Sequence, residues 1–324
     1  MTRPLALLAA LCLAPALALA QATPPLEGRL KRIAETRAIT VAYRTDALPF
    51  SFEDADHKPA GYTVDLCRSV IGLIEKRVNV VPLQVKWVAV TTQNRLQTVA
   101  GGGADMECGA TSVTLGRMNE VGFSSLTFVD GTGLLVRAAN PAKSLIDLAN
   151  QKIGVIPGTS NERALAEALK SKVVTATVVP VKNRDDGLAQ LEAGQIDALA
   201  SDRVLLVGLA AKAKDPKAMA LLADALSYEP YAIVLPRGDW QLQQAVDSAL
   251  AQSAARIGAV LGIPGVALHR GRVPSTDDTV AIPLRSAAMR TVIGVSSLPC
   301  LSALSRRFVR TCARRWLSAS TTMP

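Results

Sequence analysis

Four arginines, several Thr and Ser residues and one aspartate recur at one kind of place in this chain, just beyond a short apolar, β-rich run. After residues 39–43 comes Arg44, after 83–88 come Thr91, Thr92 and Arg95, and after 104–109 come Thr111, Ser112 and Arg117. In the second half, 152–155 leads to Gly158-Thr159-Ser160, 175–181 to Arg184, and 196–200 to Ser201-Asp202. A guanidinium is a planar fork that grips a carboxylate through two parallel hydrogen bonds. Asp202 is the natural partner for an ammonium group, and together these groups could bind a small zwitterion. Each residue also has a plainer use. Any one arginine can be a solvated surface residue, and Asp202 can pair locally with Arg203 or Arg184. Gly158-Thr159-Ser160 opens a helical stretch at 162–170. There unpaired N–H groups and the helix dipole favour an anion, and Thr or Ser can equally serve as the N-cap.

These residues need a scaffold that brings strand ends together. From residue 39 to 234 short β-rich runs alternate with amphipathic stretches, the pattern of parallel sheets flanked by helices, in which ligands bind beyond the carboxyl ends of the strands. Val64, Cys67, Val70, Ile71 and Ile74 fall at spacings of three and four, so a helix is expected over 64–75. The chain also repeats itself weakly. Leu96-Gln97-Thr98-Val99 leads through Gly102 to Asp105, and Leu188-Ala189-Gln190-Leu191 leads through Gly194 to Asp197. Two similar lobes follow, with crossings at 127–133 and 227–232, where Gly131, Gly133 and the Glu229-Pro230 bend would permit or limit a hinge. Ordinary loops are the other reading of those two segments.

Residues 1–20 read as an export signal, with Arg3 followed by an apolar stretch from Leu5 ending in Ala18-Leu19-Ala20. Residues 253–324 hold ten arginines against two acids, which accounts for all but one of the +9 net charge, and Arg3 supplies the last. The segment between is near neutral and offers no basic face to a nucleic acid. Of five cysteines only Cys67 and Cys108 lie in that segment, and in an oxidising compartment such a pair should bridge, the alternative being two buried thiols. With two histidines in the whole chain and those cysteines bridged, neither a metal nor another cofactor is expected.

At this point the chain resembles the family-3 bacterial extracellular solute-binding proteins, and most closely their glutamate/aspartate-binding branch. The stretches that carry the resemblance are Val41-Ala42-Tyr43-Arg44 with Pro49-Phe50-Ser51-Phe52, Gly61-Tyr62-Thr63-Val64-Asp65-Leu66, Thr92-Gln93-Asn94-Arg95, Glu107-Cys108-Gly109-Ala110-Thr111, Gly158-Thr159-Ser160 and Leu191-Glu192-Ala193-Gly194. The resemblance implies a two-lobed α/β periplasmic-binding-protein fold of type II, each lobe a mostly parallel sheet flanked by helices, with two hinge crossings. Lobe 1 would comprise 26–130 and 229–252, and lobe 2 would comprise 131–228. It also implies roles. Arg117, Thr111, Ser112 and Thr159 would hold an α-carboxylate and Asp202 an α-ammonium, while Arg44, Thr92, Arg95 and Arg184 would face the side chain. Ala110 stands where that branch usually has Ser, and Arg184 where it can have His.

A neutral amino acid needs only Arg117 and Asp202, which would leave Arg44, Arg95 and Arg184 facing nothing, so the expected ligand is acidic. The implied partner is an ABC permease in the inner membrane, the implied compartment the periplasm, and the oligomeric state is not legible. The competing classes are a ligand-sensing receptor and an amino-acid dehydratase on the same fold. An enzyme would need a placed acid or base, whereas His57 falls in a turn and no carboxylate pair is expected at the strand ends. The resemblance stops near Gln252. Residues 253–324 contain no Lys, Glu, Tyr or Asn, which reads as a frameshifted stretch of a GC-rich gene, with a basic interaction tail as the alternative.

Overall fold

β-branched runs and amphipathic stretches alternate along the chain, and the structure, a computed structural model describing residues 24–261 with side chains through Ser253, turns them into two five-stranded sheets wrapped by helices and one small three-stranded sheet. The segment read as an export signal, 1–20, and the tail beyond 261 lie outside the described residues. The first half forms α1 (Gly28–Thr36), β1 (Ala38–Arg44), β2 (Asp46–Ala47), β3 (Ser51–Glu53), β4 (Pro59–Ala60), α2 (Tyr62–Val78), β5 (Gln84–Val90), α3 (Arg95–Ala100), β6 (Met106–Cys108) and β7 (Gly122–Asp130). The second forms β8 (Thr132–Arg137), β9 (Lys152–Val155), α4 (Ser160–Ser171), β10 (Thr177–Pro180), α5 (Arg184–Glu192), β11 (Ala198–Asp202), α6 (Arg203–Ala210) and β12 (Met219–Leu221). The chain then returns through β13 (Glu229–Leu235) and α7 (Trp240–Leu261). That last helix runs across the expected boundary at residue 253.

The first sheet has the order β5-β1-β6-β13-β7 and the second β10-β9-β11-β8-β12. Pairing is parallel from β5 through β6 and from β10 through β11, and it is antiparallel on both sides of β13 and of β8. Each sheet is therefore parallel apart from one strand next to its edge. That strand is the one through which the chain enters from the other lobe. The crossing strands meet at Glu229 opposite Asp130, and a Cβ on Gly131 would lie 2.5 Å from the Ser227 carbonyl oxygen. Only glycine allows the two crossings to pass so closely.

The helix read at 64–75 extends over Tyr62–Val78 and buries Val64, Cys67, Val70, Ile71, Ile74 and Val78 against the first sheet. Burying each large aliphatic side chain contributes roughly 1.5–3 kcal/mol, which outweighs the helix-propensity cost of Val and Ile, up to about 0.7 kcal/mol. Asn79 ends the helix in the left-handed conformation, with φ of 54°. The weak repeat becomes a shared local structure. Gly102 and Gly194 both take positive φ, 84° and 72°. Asp105 exchanges hydrogen bonds with the backbone of Thr40 in β1, as Asp197 does with Lys152 in β9. In each lobe the pair locks the start of a central strand onto its neighbour.

Cys67 on α2 and Cys108 on β6 form a disulfide that closes a separation of 41 residues. Replacing both by alanine should lower stability by about 2–4 kcal/mol. In the full chain, alkylation without reduction followed by peptide mass spectrometry should recover the two cysteines in one linked peptide. Separate alkylated peptides would show that the bridge does not form.

Candidate functional site

Arg95 and Arg184 are the first residues of α3 and α5, the corresponding helices of the two lobes. A cation there opposes the helix dipole, at a cost of about 0.3–1 kcal/mol, so helix stability is not the reason for either residue. Each donates its Nε to a hydroxyl at a neighbouring strand end, Arg95 to Thr111 at 2.9 Å and Arg184 to Ser201 at 3.1 Å. Arg95 also donates Nη1 to the Thr92 carbonyl oxygen, so the half-buried Thr92 serves through its backbone. Arg44 is the last residue of β1 and, like Arg95 and Arg184, is 3–5% exposed.

The carboxylates facing these arginines include two that sequence reasoning missed. Asp46 Oδ1 lies 2.5 Å from Arg44 Nη2, and Asp46 Oδ2 lies 3.5 Å from Arg184 Nη1. Glu107, wholly buried in β6, accepts from the Thr111 hydroxyl at 2.9 Å, which links it to Arg95. Arg44, Arg95 and Arg184 therefore do not face nothing, and the strand ends do carry several carboxylates: both expectations are corrected. The signal for Glu107 was the glycine two residues on, because a Cβ on Gly109 would collide with Glu107 Oε1. The one signal for Asp46 was Arg44, two residues before it. Burial opposes its ionisation, but Arg44 and Arg184 outweigh that and hold it below the usual carboxylate range. Burial raises Glu107, with Arg95 opposing, and it pulls Arg95 down to about 9, still cationic at neutral pH.

In the second lobe Asp202 ends β11 with one oxygen 3.7 Å from Arg184 Nη2, while the other, Oδ1, is buried without a hydrogen bond of normal geometry and the buried Tyr231 hydroxyl stands near the group. Arg203, its alternative local partner, donates instead to the carbonyls of Leu222, Ala223 and Asp224. Burial raises the Asp202 carboxyl, with Arg184 opposing. Arg117 is half-buried and donates Nη1 to the Ser112 carbonyl oxygen at 2.8 Å. Burial lowers its pKa against the opposing fields of Glu229 and Asp202. The Thr159 hydroxyl accepts from Glu162 N at 3.1 Å, so N-capping is what it does here.

The nine predicted residues thus lie at strand ends or helix starts. Contacts across or beside the seam join Arg44 to Arg184 through Asp46, Arg184 to Asp202, Arg95 to Thr92 and Thr111, and Arg117 to Ser112, whereas Thr159 contacts none of the other eight through its hydroxyl. Ser112 Oγ of the first lobe lies 3.4 Å from Ser160 Oγ of the second, and Leu205 of α6 packs with Ala47, Phe50 and Tyr231. An open cavity of about 730 Å³ is lined by segments including Val113, Leu115, Ser160, Arg163 and Tyr228, and by none of the nine. Among the described residues no cluster of His, Cys, Asp and Glu could hold a metal, and no helix is long and apolar enough to cross a membrane.

Residues 39–256 match the family described as bacterial extracellular solute-binding proteins, family 3. The chain belongs to that family. The glutamate/aspartate import solute-binding protein of Escherichia coli (strain K12) is 32% identical over 251 residues, covering 77% of this chain and 83% of the relative. The L-glutamate/L-aspartate-binding protein of Pseudomonas aeruginosa is 33% identical, covering 77% of this chain and 82% of that one. Among solved structures, an ABC transporter/periplasmic binding protein from Brucella ovis with glutathione bound superposes with a TM-score of 0.67 at 21% identity, covering 74% of each chain, and shares the fold.

In this solute-binding protein the crossing also carries charge. Asp130, at the end of β7, accepts from Gly131 N at 2.8 Å and from Val204 N of α6 at 2.9 Å. Burial, aided by Asp202, lifts its carboxyl from 3.8 to about 7, against those two donors and Arg203. The folded state therefore binds this proton more tightly than the unfolded chain. The resulting stability is fully present below the unfolded value and is lost as pH rises through about 7. Asp130→Asn removes the titration, so its stability relative to wild type should rise between about pH 4 and about pH 7, by at most about 4 kcal/mol, and level off above that. Melting midpoints at several pH values check this, and a difference constant with pH would show that Asp130 does not titrate there.

Proposed function

We propose that this chain is the substrate-binding component of an ABC amino-acid importer, exported to the periplasm through cleavage of the signal at 1–20, and that it closes two lobes on an acidic amino acid, glutamate or aspartate. The observation that carries the reading is the buried Asp202 carboxyl at the seam, whose Oδ1 makes no hydrogen bond of normal geometry although the Tyr231 hydroxyl stands near the group, and whose charge acts on Arg117. An acceptor of that kind is costly unless a donor fills it, and the ammonium of an α-amino acid is such a donor while its carboxylate turns to Arg117. In this reading Ser112 completes the α-carboxylate site, joined by Thr111 and Thr159 if ligand binding turns their hydroxyl protons away from Glu107 and the Ile156 carbonyl, and Arg44, Thr92, Arg95 and Arg184 surround the side chain. The names of the glutamate- and aspartate-binding relatives support the ligand class.

The arrangement suits binding and release rather than chemistry. His57, the one histidine among the described residues, sits exposed on the turn between β3 and β4, paired with Glu53 at 2.6 Å. The seam acids Asp46, Glu107 and Asp202 all lie in the fields of arginines, so none stands as a free general base.

Calorimetry with glutamate, aspartate, glutamine and a dicarboxylate without an amine tests the proposal. Glutamate or aspartate should bind most tightly, and the radius from small-angle scattering should not exceed that of the free protein. Asp202→Asn should weaken both amino acids by roughly ten- to hundredfold, the range set by a charge-assisted hydrogen bond, and should leave the amine-free dicarboxylate unweakened. Glutamine binding as tightly as glutamate would refute the acidic ligand class.

A further inference from the structure

Asp46 is not among the residues to which the ligand reading gives a role, yet it holds the centre of the seam. It stands on β2, in the three-stranded hairpin sheet β2-β3-β4 of the first lobe, and is itself mostly buried. One of its oxygens meets Arg44 of the same lobe at 2.5 Å, and the other meets Arg184 of the opposite lobe at 3.5 Å. One carboxylate spanning two guanidinium groups, one oxygen to each, is the arrangement that the distal carboxylate of an acidic ligand would make with the same pair.

We propose that Asp46 is a specificity-determining residue, a built-in counter-carboxylate that occupies the Arg44–Arg184 pair and competes with the side-chain carboxylate of the ligand. The proposal deepens the reading of the seam as an amino-acid site and rests on it. Two buried guanidinium groups left without an anion would be costly, so something must neutralise them in the closed seam. Among the described residues the other carboxylate in contact with either arginine is Asp202, 3.7 Å from Arg184. The flanking arginines keep Asp46 ionised in spite of its burial. Even with Asp46 in place, Arg44 Nε and Arg184 Nη1 lack a hydrogen-bond acceptor, so the pair has capacity for a second one. A ligand carboxylate thus meets a pair whose charge is already answered, and it gains less over the corresponding amide than it would against bare arginines.

The test compares wild type with Asp46→Asn and Asp46→Ser by calorimetry against glutamate, glutamine, aspartate and asparagine, with thermal melts to establish that each variant folds. The two variants guard against a local failure of the hairpin in either one. The expected result is that the affinity ratio of acid to amide rises about tenfold or more in the variants. A gain of glutamate binding is expected even where wild type shows none. The order of ligands for wild type tests the ligand class, whereas the change in the ratio tests Asp46 whichever ligand wild type prefers. An unchanged or lower ratio would overturn the proposal and make Asp46 a support that orients the arginines.

Discussion

Charged groups removed from water must be answered by opposite charge or by hydrogen bonds, and the seam between the lobes applies that constraint to Arg44, Arg95 and Arg184 at once. The answer comes from several elements. Asp46 comes from the β2 hairpin, Glu107 reaches Arg95 through the Thr111 hydroxyl, and Asp202 approaches Arg184 from the end of β11. Gly109 is bare so that the Glu107 carboxylate can pass over it. Two helices accept a cation at their unfavourable ends so that Arg95 and Arg184 can point inward. Removing one partner from such a network costs about 3–5 kcal/mol, more than most single surface contacts.

The positions of the arginines and hydroxyls were legible because each follows an apolar run short enough to be a strand and so falls at a strand end. The repeat was legible for a related reason. A glycine with positive φ and an aspartate that bonds the neighbouring strand are a local requirement, met twice. Asp46 and Glu107 were missed although each has a partner nearby in sequence, Arg44 for the one and Thr111 and Gly109 for the other, because the need for a carboxylate there comes from arginines on other elements. Asp46 follows Arg44 by two residues at the start of a short hairpin, and its second oxygen finds a use only when Arg184 arrives from the other lobe. Glu107 lies between buried Met106 and Cys108, where strand parity says nothing of a partner on another element. Thr159 shows the limit from the other side. Capping and anion binding were posed as alternatives, and its hydroxyl caps while the first-turn N–H groups of α4 remain a separate resource.

Both lobes place their one reversed strand beside the edge, and in both it is the strand by which the chain arrives from the other lobe. The crossings are thus continuous with the sheets rather than appended to them. Ser227 ties them further, lying 2.8 Å from Thr132 Oγ1 and 2.7 Å from Glu229 Oε1. Each lobe has its own apolar clusters on the two faces of its sheet, so the two bodies are held internally by packing and to one another by a narrow polar strip and the Leu205 contact.

The burial of Arg44 to 3% exposure has a kinetic meaning. In the proposed function, a ligand enclosed at such a depth would have no path to bulk water while the lobes stay together, so its escape would be gated by their separation. Residence time then depends on how often the seam parts as well as on the strength of any one contact, and molecules of unequal affinity can leave at similar rates. Discrimination among them falls to the step before the seam shuts, when the strand ends are still wet and a poor fit can depart unhindered.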